Sequence, residues 1–155
     1  IGRGDIVIPD QFIDFTHHRV STFFEDFKPG RLQHTAMPDP FDRDLRDQLI
    51  SSAKELELKF HPAGTLITIE GPRFSTRAES RMYRTWGADI VNMSVAPEAI
   101  LANELGISYA AVAMSTDYDS WKDDEDPVSW EEVLKVFREN VSNVVKLLLL
   151  TISRI

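Results

Sequence analysis

Cysteine is absent from the 155 residues, which removes disulfides and thiolate metal sites from consideration. Long apolar runs are missing as well. A membrane-spanning helix needs about 20 consecutive apolar residues, whereas the stretch Val144 to Ile152 is far shorter and contains Lys146. The chain does not open with a cationic segment, an apolar core and a cleavage site, the pattern of a secretory leader. Positive charge is scarce: 17 Lys and Arg stand against 25 Asp and Glu, for a formal net charge of −8. That balance repels a polyanionic backbone, and no basic run offsets it locally. These absences predict a cytoplasmic protein without a membrane or nucleic-acid partner. Widely shared catalytic motifs are missing too. There is no glycine loop ending in GK[ST], no GxSxG elbow, no HExxH pair and no acidic loop with EF-hand spacing. The expectation is no metal and no organic cofactor.

What is present suits one globular unit, residues 1–155, with 43% hydrophobic residues to build a core. Ile6-Val7-Ile8 reads as a buried strand only a few residues from the start. Such a strand needs neighbours, so the unit is expected to be incomplete on its N-terminal side. Gln11 to Pro40 shows neither helical nor alternating periodicity and reads as a long structured loop. From Phe41 the apolar positions Leu45, Leu49, Ile50, Ala53 and Leu56 recur at helical spacing, predicting a helix to about Glu57. Thr65 to Ile69 is a β-branched strand ending at Glu70-Gly71-Pro72. Thr76 and Glu79 have capping-box spacing for a helix to about Trp86. Asp89 to Ser94 is a short apolar strand, followed by Pro97 in the first turn of a helix that stops at Gly106. Ser108 to Ser115 is the next strand. Ser129 and Glu132 form a second capping box, and Val133, Val136, Phe137, Val141, Val144, Val145 and Leu148 make a long apolar face to the final helix. Alternating strands and helices give an α/β class, with a mixed central sheet flanked by helices. The strands Asp89 to Ser94 and Ser108 to Ser115, apolar on both faces, are expected to be central.

Ligands of open α/β sheets collect at the carboxyl ends of strands. Here those ends read Glu70-Gly71-Pro72-Arg73-Phe74-Ser75, Asn92-Met93-Ser94 and Thr116-Asp117-Tyr118-Asp119. Asp117 and Asp119 are two apart, so in extended conformation their side chains leave the same face and converge on one ligand. Two carboxylates so close resist double ionisation, leaving one able to carry a proton. Glu70, Arg73, Arg77 and Glu79 read instead as structural charges, the last two in a helical first turn.

The segments GPRFSTRAES, GADIVNMSVAPE and STDYDSW resemble the trimeric purine nucleoside phosphorylase superfamily, and DYDSW resembles its methylthioadenosine branch. The likeness runs from GDIVIPDQFID to the last helix. It implies phosphorolysis of 5′-methylthioadenosine to adenine and 5-methylthioribose 1-phosphate, with inorganic phosphate as co-substrate and no other cofactor. It further implies a homotrimer, or an assembly with an N-terminal chain that carries most phosphate-binding residues. By resemblance, Asp117 is the acid at purine N7 and Asp119 positions the base. Phe74 stacks on the purine, Met93 packs against the ribose, and the Ser94 hydroxyl, where relatives often have Thr, reaches phosphate. His34 is offered across a subunit interface to the neighbour's 5′ pocket. Val133 and Leu134 form an apolar wall for the methylthio group, near Trp130, which replaces a smaller aliphatic residue. In 6-oxopurine members the position of Asp117 is Asn, whose amide donates to a carbonyl oxygen as an ionised carboxylate cannot. Asp117 therefore points to adenine. A 6-oxopurine phosphorylase, and an inactive fragment or one half of a split enzyme, are the competing readings.

Overall fold

The computed structural model describes residues 1–26, 29–30, 34–122 and 129–155. Chain order is β1 (Ile6–Val7), β2 (Gln11–Phe15), α1 (Arg43–Glu55), β3 (Phe60–His61), β4 (Thr65–Ile69), α2 (Arg77–Thr85), β5 (Ile90–Asn92), α3 (Val95–Glu104), β6 (Ala113–Met114) and α4 (Trp130–Ile152). The α/β class and the mixed strand directions hold. Among the described residues the strands form two three-stranded groups, β2-β4-β5 and β3-β1-β6. The first group is parallel throughout, with Phe12, Leu66 and Ile90 in register. In the second, β1 runs parallel to β3 and antiparallel to β6.

β4 is the axis. Leu66, Ile67 and Thr68 are all 0% exposed. Because successive side chains of a strand point to opposite faces, Leu66 packs with Phe41 and Ala99 of α3, while Ile67 and Ile69 pack with Tyr83 of α2. A third core joins Ile6 and Ile8 to Leu49 and Ala53 of α1 and Leu147 of α4.

Helix boundaries follow local chemistry. Asp42 caps α1 by accepting the Leu45 N–H at 2.9 Å, and the Ser108 hydroxyl donates to the same carboxylate at 2.6 Å. That hydroxyl, with the Leu45 amide, holds the Asp42 carboxyl below its ordinary value. The Thr76–Glu79 capping box forms as expected, and Ser129 accepts the Glu132 N–H at the start of α4. Pro97 is the third residue of α3, where its missing N–H costs nothing, and Gly106 follows the helix end at φ +67°.

Three expectations need correction. Within the anticipated loop 11–40, residues 11–15 form β2. Phe12 packs with the α3-side core while Ile13 and Phe15 pack with the α2-side core, so apolar residues lie on both faces and alternation is lost. The remainder of that loop includes 27–28 and 31–33, which lie outside the described residues. The Ser108 to Ser115 strand shrinks to Ala113–Met114. The segment before it still alternates, with Ala110 and Val112 on one core and Tyr109 and Ala111 on another. Its strand-like pattern therefore comes from bridging two cores, not from a ladder. Finally, β5 and β6 are edges of their groups and only half-buried.

Two buried polar groups secure this arrangement. Thr68 Oγ1 donates to Asn92 Oδ1 at 3.2 Å and accepts the Ala96 N–H at 3.0 Å. Asn92 Oδ1 also accepts the N–H groups of Ser94 and Val95. The isosteric change Thr68→Val leaves the Ala96 N–H without its acceptor and is expected to cost about 1–2 kcal/mol in chemical denaturation. A loss below about 0.5 kcal/mol, the scatter expected of a neutral surface change, would refute the bond's structural role. Asp5, 4% exposed, accepts from Gly2 N, His61 Nε2 and Lys59 Nζ at 2.7–2.9 Å. The His61 bond, then Lys59, holds its carboxyl far below the usual carboxylate range. A depressed carboxyl stabilises the fold above its unfolded value and loses that contribution as pH falls below about 4. Asp5→Asn is thus expected to cost about 2 kcal/mol at pH 7, with the difference from wild type shrinking at pH 3 in parallel thermal melts. An equal difference at both values would refute it.

Candidate active site

β4, β5 and β6 deliver their carboxyl ends to one cavity of about 450 Å³. Ile90, Val91 and Asn92 line it from β5, and Met114, Ser115 and Thr116 from the end of β6. This explains why those strands are apolar yet not central: their second face meets a cavity instead of a helix. Tyr83 and Arg84 of α2 and Val133 of α4 complete the wall.

Five of the anticipated residues share this cavity: Phe74, Met93, Asp117, Asp119 and Val133. Three do not line it. Ser94 is exposed at the N-cap of α3 with no side-chain capping bond. Since Asn92 and Thr68 already take the N–H groups of residues 94 to 96, the hydroxyl is what Ser94 offers to a ligand beside the positive end of the helix. Leu134 is half-buried on α4, about 100° around the helix from Val133. His34 is exposed in the long loop. Trp130, 61% exposed, also lies outside the lining.

The carboxylates converge differently from the extended geometry anticipated above. Asp119 has φ +53°, in the left-handed region. Its N–H donates to Asp117 Oδ1 at 2.8 Å, closing a tight turn, and Thr116 Oγ1 donates to Asp117 Oδ2 at 2.7 Å. A side chain that bonds the backbone two residues on is a common way for Asp to shape a turn. Both oxygens of Asp117 therefore serve the loop while retaining acceptor capacity. Asp119 Oδ2 is buried and has no partner among the described residues. A buried acceptor left unpaired costs free energy that an incoming donor recovers.

Several contributors escaped the sequence reading. Ser75 Oγ, next to Phe74, is the second buried side-chain atom without a partner among the described residues. Gly71, at φ +65°, lets its backbone approach Met93 so closely that a Cβ would stand 2.7 Å from the sulfur. Arg84 and Trp121 meet on the cavity rim, the guanidinium carbon 3.8 Å from the ring centroid. The Gly-Pro punctuation marked Gly71, and Ser75 and Trp121 lay within quoted motifs without an assigned role, whereas Arg84 gave no signal.

Glu70 and Glu79 are structural, as expected. Glu70 accepts the N–H groups of His17 and His18 and pairs with Arg19, so its carboxyl is held down to about 2. Glu79 forms two 2.7 Å bonds with Arg73 and completes the cap of α2, and its carboxyl is likewise held down to about 2, with the Arg73 bond the largest cause. Among the described residues no cluster of three or more His, Asp or Glu side chains is placed to hold a metal ion, and no helix is long and apolar enough to cross a membrane.

Known proteins agree with this geometry. S-methyl-5′-thioadenosine phosphorylase of Xenopus tropicalis is 51% identical over all of this chain, which covers 56% of that relative. The enzyme of Pyrococcus furiosus is 52% identical over 98% of the chain and 57% of its own length. The chain thus spans a little over half the length of these relatives. Among solved structures, methylthioadenosine phosphorylase of Schistosoma mansoni in complex with adenine superimposes with a TM-score of 0.89 at 38% identity, covering 97% of this chain and 59% of that one. A variant of the Schistosoma enzyme in complex with methylthioadenosine gives a TM-score of 0.88 at 37% identity, covering 97% of this chain and 57% of that one. The profile of the phosphorylase superfamily matches residues 1–153, and with relatives about half identical over the whole chain the chain belongs to that superfamily.

Proposed function

We propose that this chain forms the nucleobase-binding part of a 5′-methylthioadenosine phosphorylase, cleaving the nucleoside with inorganic phosphate to adenine and 5-methylthioribose 1-phosphate. The observation that carries the reading is the pair Asp117 and Asp119 at the cavity, with Asp119 Oδ2 buried and without a partner among the described residues. An exocyclic amine supplies the donor that oxygen lacks, and a 6-oxo group does not. Relatives named for methylthioadenosine support the same choice.

In this mechanism phosphate attacks the anomeric carbon as the bond to the purine breaks, and the sugar passes through an oxocarbenium-like state. Electron density moves onto the purine, where Asp117, as the member of the close carboxyl pair that carries a proton, donates it to N7 as general acid and is left as the carboxylate. Asp119 holds the amine, Phe74 covers a face of the base, and Met93, pressed on Gly71, contacts the ribose. Val133 provides apolar surface for the methylthio group, which a hydroxyl-binding site would disfavour, while Leu134 stands beside it on α4 outside the lining. The Ser94 hydroxyl contributes to phosphate binding. Neither a metal nor an organic cofactor takes part. The working assembly is a homotrimer in the cytoplasm, serving purine and methionine salvage, with His34 completing the 5′ pocket of a neighbouring subunit.

A specific observation favours activity only in a larger assembly. Leu149 and Ile152 of α4 are 65% and 66% exposed, and β5 stands at the edge of its sheet. Such surface suits burial against further polypeptide, and relatives use nearly twice this length.

Adenine release from methylthioadenosine, followed chromatographically with and without phosphate in the chain and in any assembly that it co-purifies with, tests the reaction. Phosphate-dependent release is expected; release that ignores phosphate, or none in any assembly, contradicts it. In the active assembly Asp117→Asn is expected to lower kcat/KM for methylthioadenosine by about 10²–10⁴-fold and to shift preference toward 6-oxopurine nucleosides. An unchanged ratio of methylthioadenosine to inosine turnover would sink the assignment of Asp117.

A further inference from the structure

We propose that Arg84 and Trp121 form a latch that straps the loop carrying Asp117 and Asp119 along α2, making both of them positioning residues for the carboxylates. The consequence for nucleobase choice rests on the adenine reading above; the latch itself rests on geometry.

The loop leaves β6 at Ser115, where the chain is pinned on both sides. Ser115 N donates to Asp5 O at 2.9 Å and Ser115 O accepts from Gly4 N at 2.6 Å. The next bonds, from Thr116 and from the Asp119 amide to Asp117, shape the turn without tying it to another element. Arg3, from the N-terminal segment, lies over the Tyr118 ring at 5.5 Å from its centroid, and two closer points tie the loop to α2. Ser120 Oγ donates to Ser75 O at 2.8 Å, immediately before the Thr76 cap of α2. The Arg84 guanidinium, in the last turn of α2, lies 3.8 Å from the centroid of the Trp121 ring. The two straps reach opposite ends of one helix, and the carboxylates sit between these straps and Ser115.

The Arg84 contact has the closeness of a flat stack. A planar guanidinium lies on an indole face over its whole width, whereas an ammonium meets it as a point charge. Tyr118 packs edge-on against Trp121 at 6.2 Å, and Lys122 Nζ stands 4.1 Å from the Tyr118 centroid. The aromatic pair thereby carries the restraint back to the residue between the two aspartates. That restraint supports Asp119. Its φ of +53° is a left-handed conformation that Asp tolerates better than most residues but that still costs free energy relative to extended backbone. Release of Trp121 lets residue 119 relax and turns Oδ2 away from the cavity, and small losses of alignment in a preorganised site reduce binding and selectivity strongly.

The test labels the chain with 5-fluorotryptophan, assigns residue 121 through Trp121→Phe, and compares wild type with Arg84→Lys and Arg84→Gln. The expected result is a displaced Trp121 resonance and faster exchange of the Asp119 amide in Arg84→Gln, with Trp130 unmoved and Arg84→Lys in between. Calorimetry with adenine and hypoxanthine is expected to show a roughly 5–10-fold weaker adenine Kd in Arg84→Gln and a reduced preference for adenine. Arg84→Gln combined with Trp121→Phe is expected to lose no more than the worse single change, as for two halves of one contact. Unchanged amide exchange, or additive losses in the double variant, overturns the latch. A latch visible by resonance and exchange but without effect on adenine affinity or preference overturns the positioning role. Absence of adenine binding in wild type refutes the nucleobase reading, and the latch is then decided by resonance and exchange alone.

Discussion

Everything at the cavity depends on how one hydroxyl is satisfied in the middle of a strand buried on both faces. Thr68 is 0% exposed, and a polar group there must find its partners within the protein. It finds them in Asn92 at the end of β5 and in the Ala96 N–H of α3. Asn92 in turn donates from Nδ2 to Ile67 O at 3.3 Å and takes two further amides of the α3 entrance. The knot therefore fixes where β5 stops and where α3 starts. Met93 and Ser94 lie between those two events, so their placement at the carboxyl edge follows from satisfying Thr68. A valine would pack the core equally well and would leave the helix entrance unspecified.

Negative charge is abundant, and the structure divides it by role. Asp5, Asp42, Glu70 and Glu79 spend their oxygens on backbone amides, hydroxyls and cations, and each is held below its ordinary carboxyl value by those partners. Such groups are committed and have little left for a ligand. Asp117 likewise gives its oxygens to an amide and a hydroxyl of its own loop, whereas Asp119 keeps Oδ2 buried without a donor among the described residues. A site that leaves an acceptor unsatisfied in the empty state sacrifices stability for recognition, the usual exchange at functional positions.

The sequence was informative wherever a contact is local. Both Ser/Thr helix caps, the proline in the first turn of α3 and the buried strand 65–69 are encoded within four or five residues, and all were legible. Phe74, Met93, Asp117 and Asp119 were legible as a group because strand ends are where α/β ligands gather, and Val133, on α4, was reached through the family resemblance. β2 was not legible, since apolar residues on both faces erase the period on which strand recognition relies. β5 and β6 were misplaced for a related reason: apolar residues facing a cavity look the same in sequence as apolar residues facing a helix. Ser75 and Trp121 stood inside the quoted motifs but without a role, and Arg84 stood in none, because what gives all three meaning is contact across 37 residues or more of chain.

α4 shows the same ambiguity at larger scale. Its Val144 and Leu147 pack with α1 and β1, and Thr151 closes on Leu147 O within the helix. That face alone accounts for an amphipathic helix in a complete small domain. Yet Val145, Leu148, Leu149 and Ile152 are exposed, so the helix is apolar around most of its circumference. A helix of that kind belongs between two layers, and one layer is present here. Val133, at the other end of the same helix, lines the cavity. The helix that carries these exposed apolar side chains thus also supplies a wall residue of the cavity, so one element answers to both surfaces.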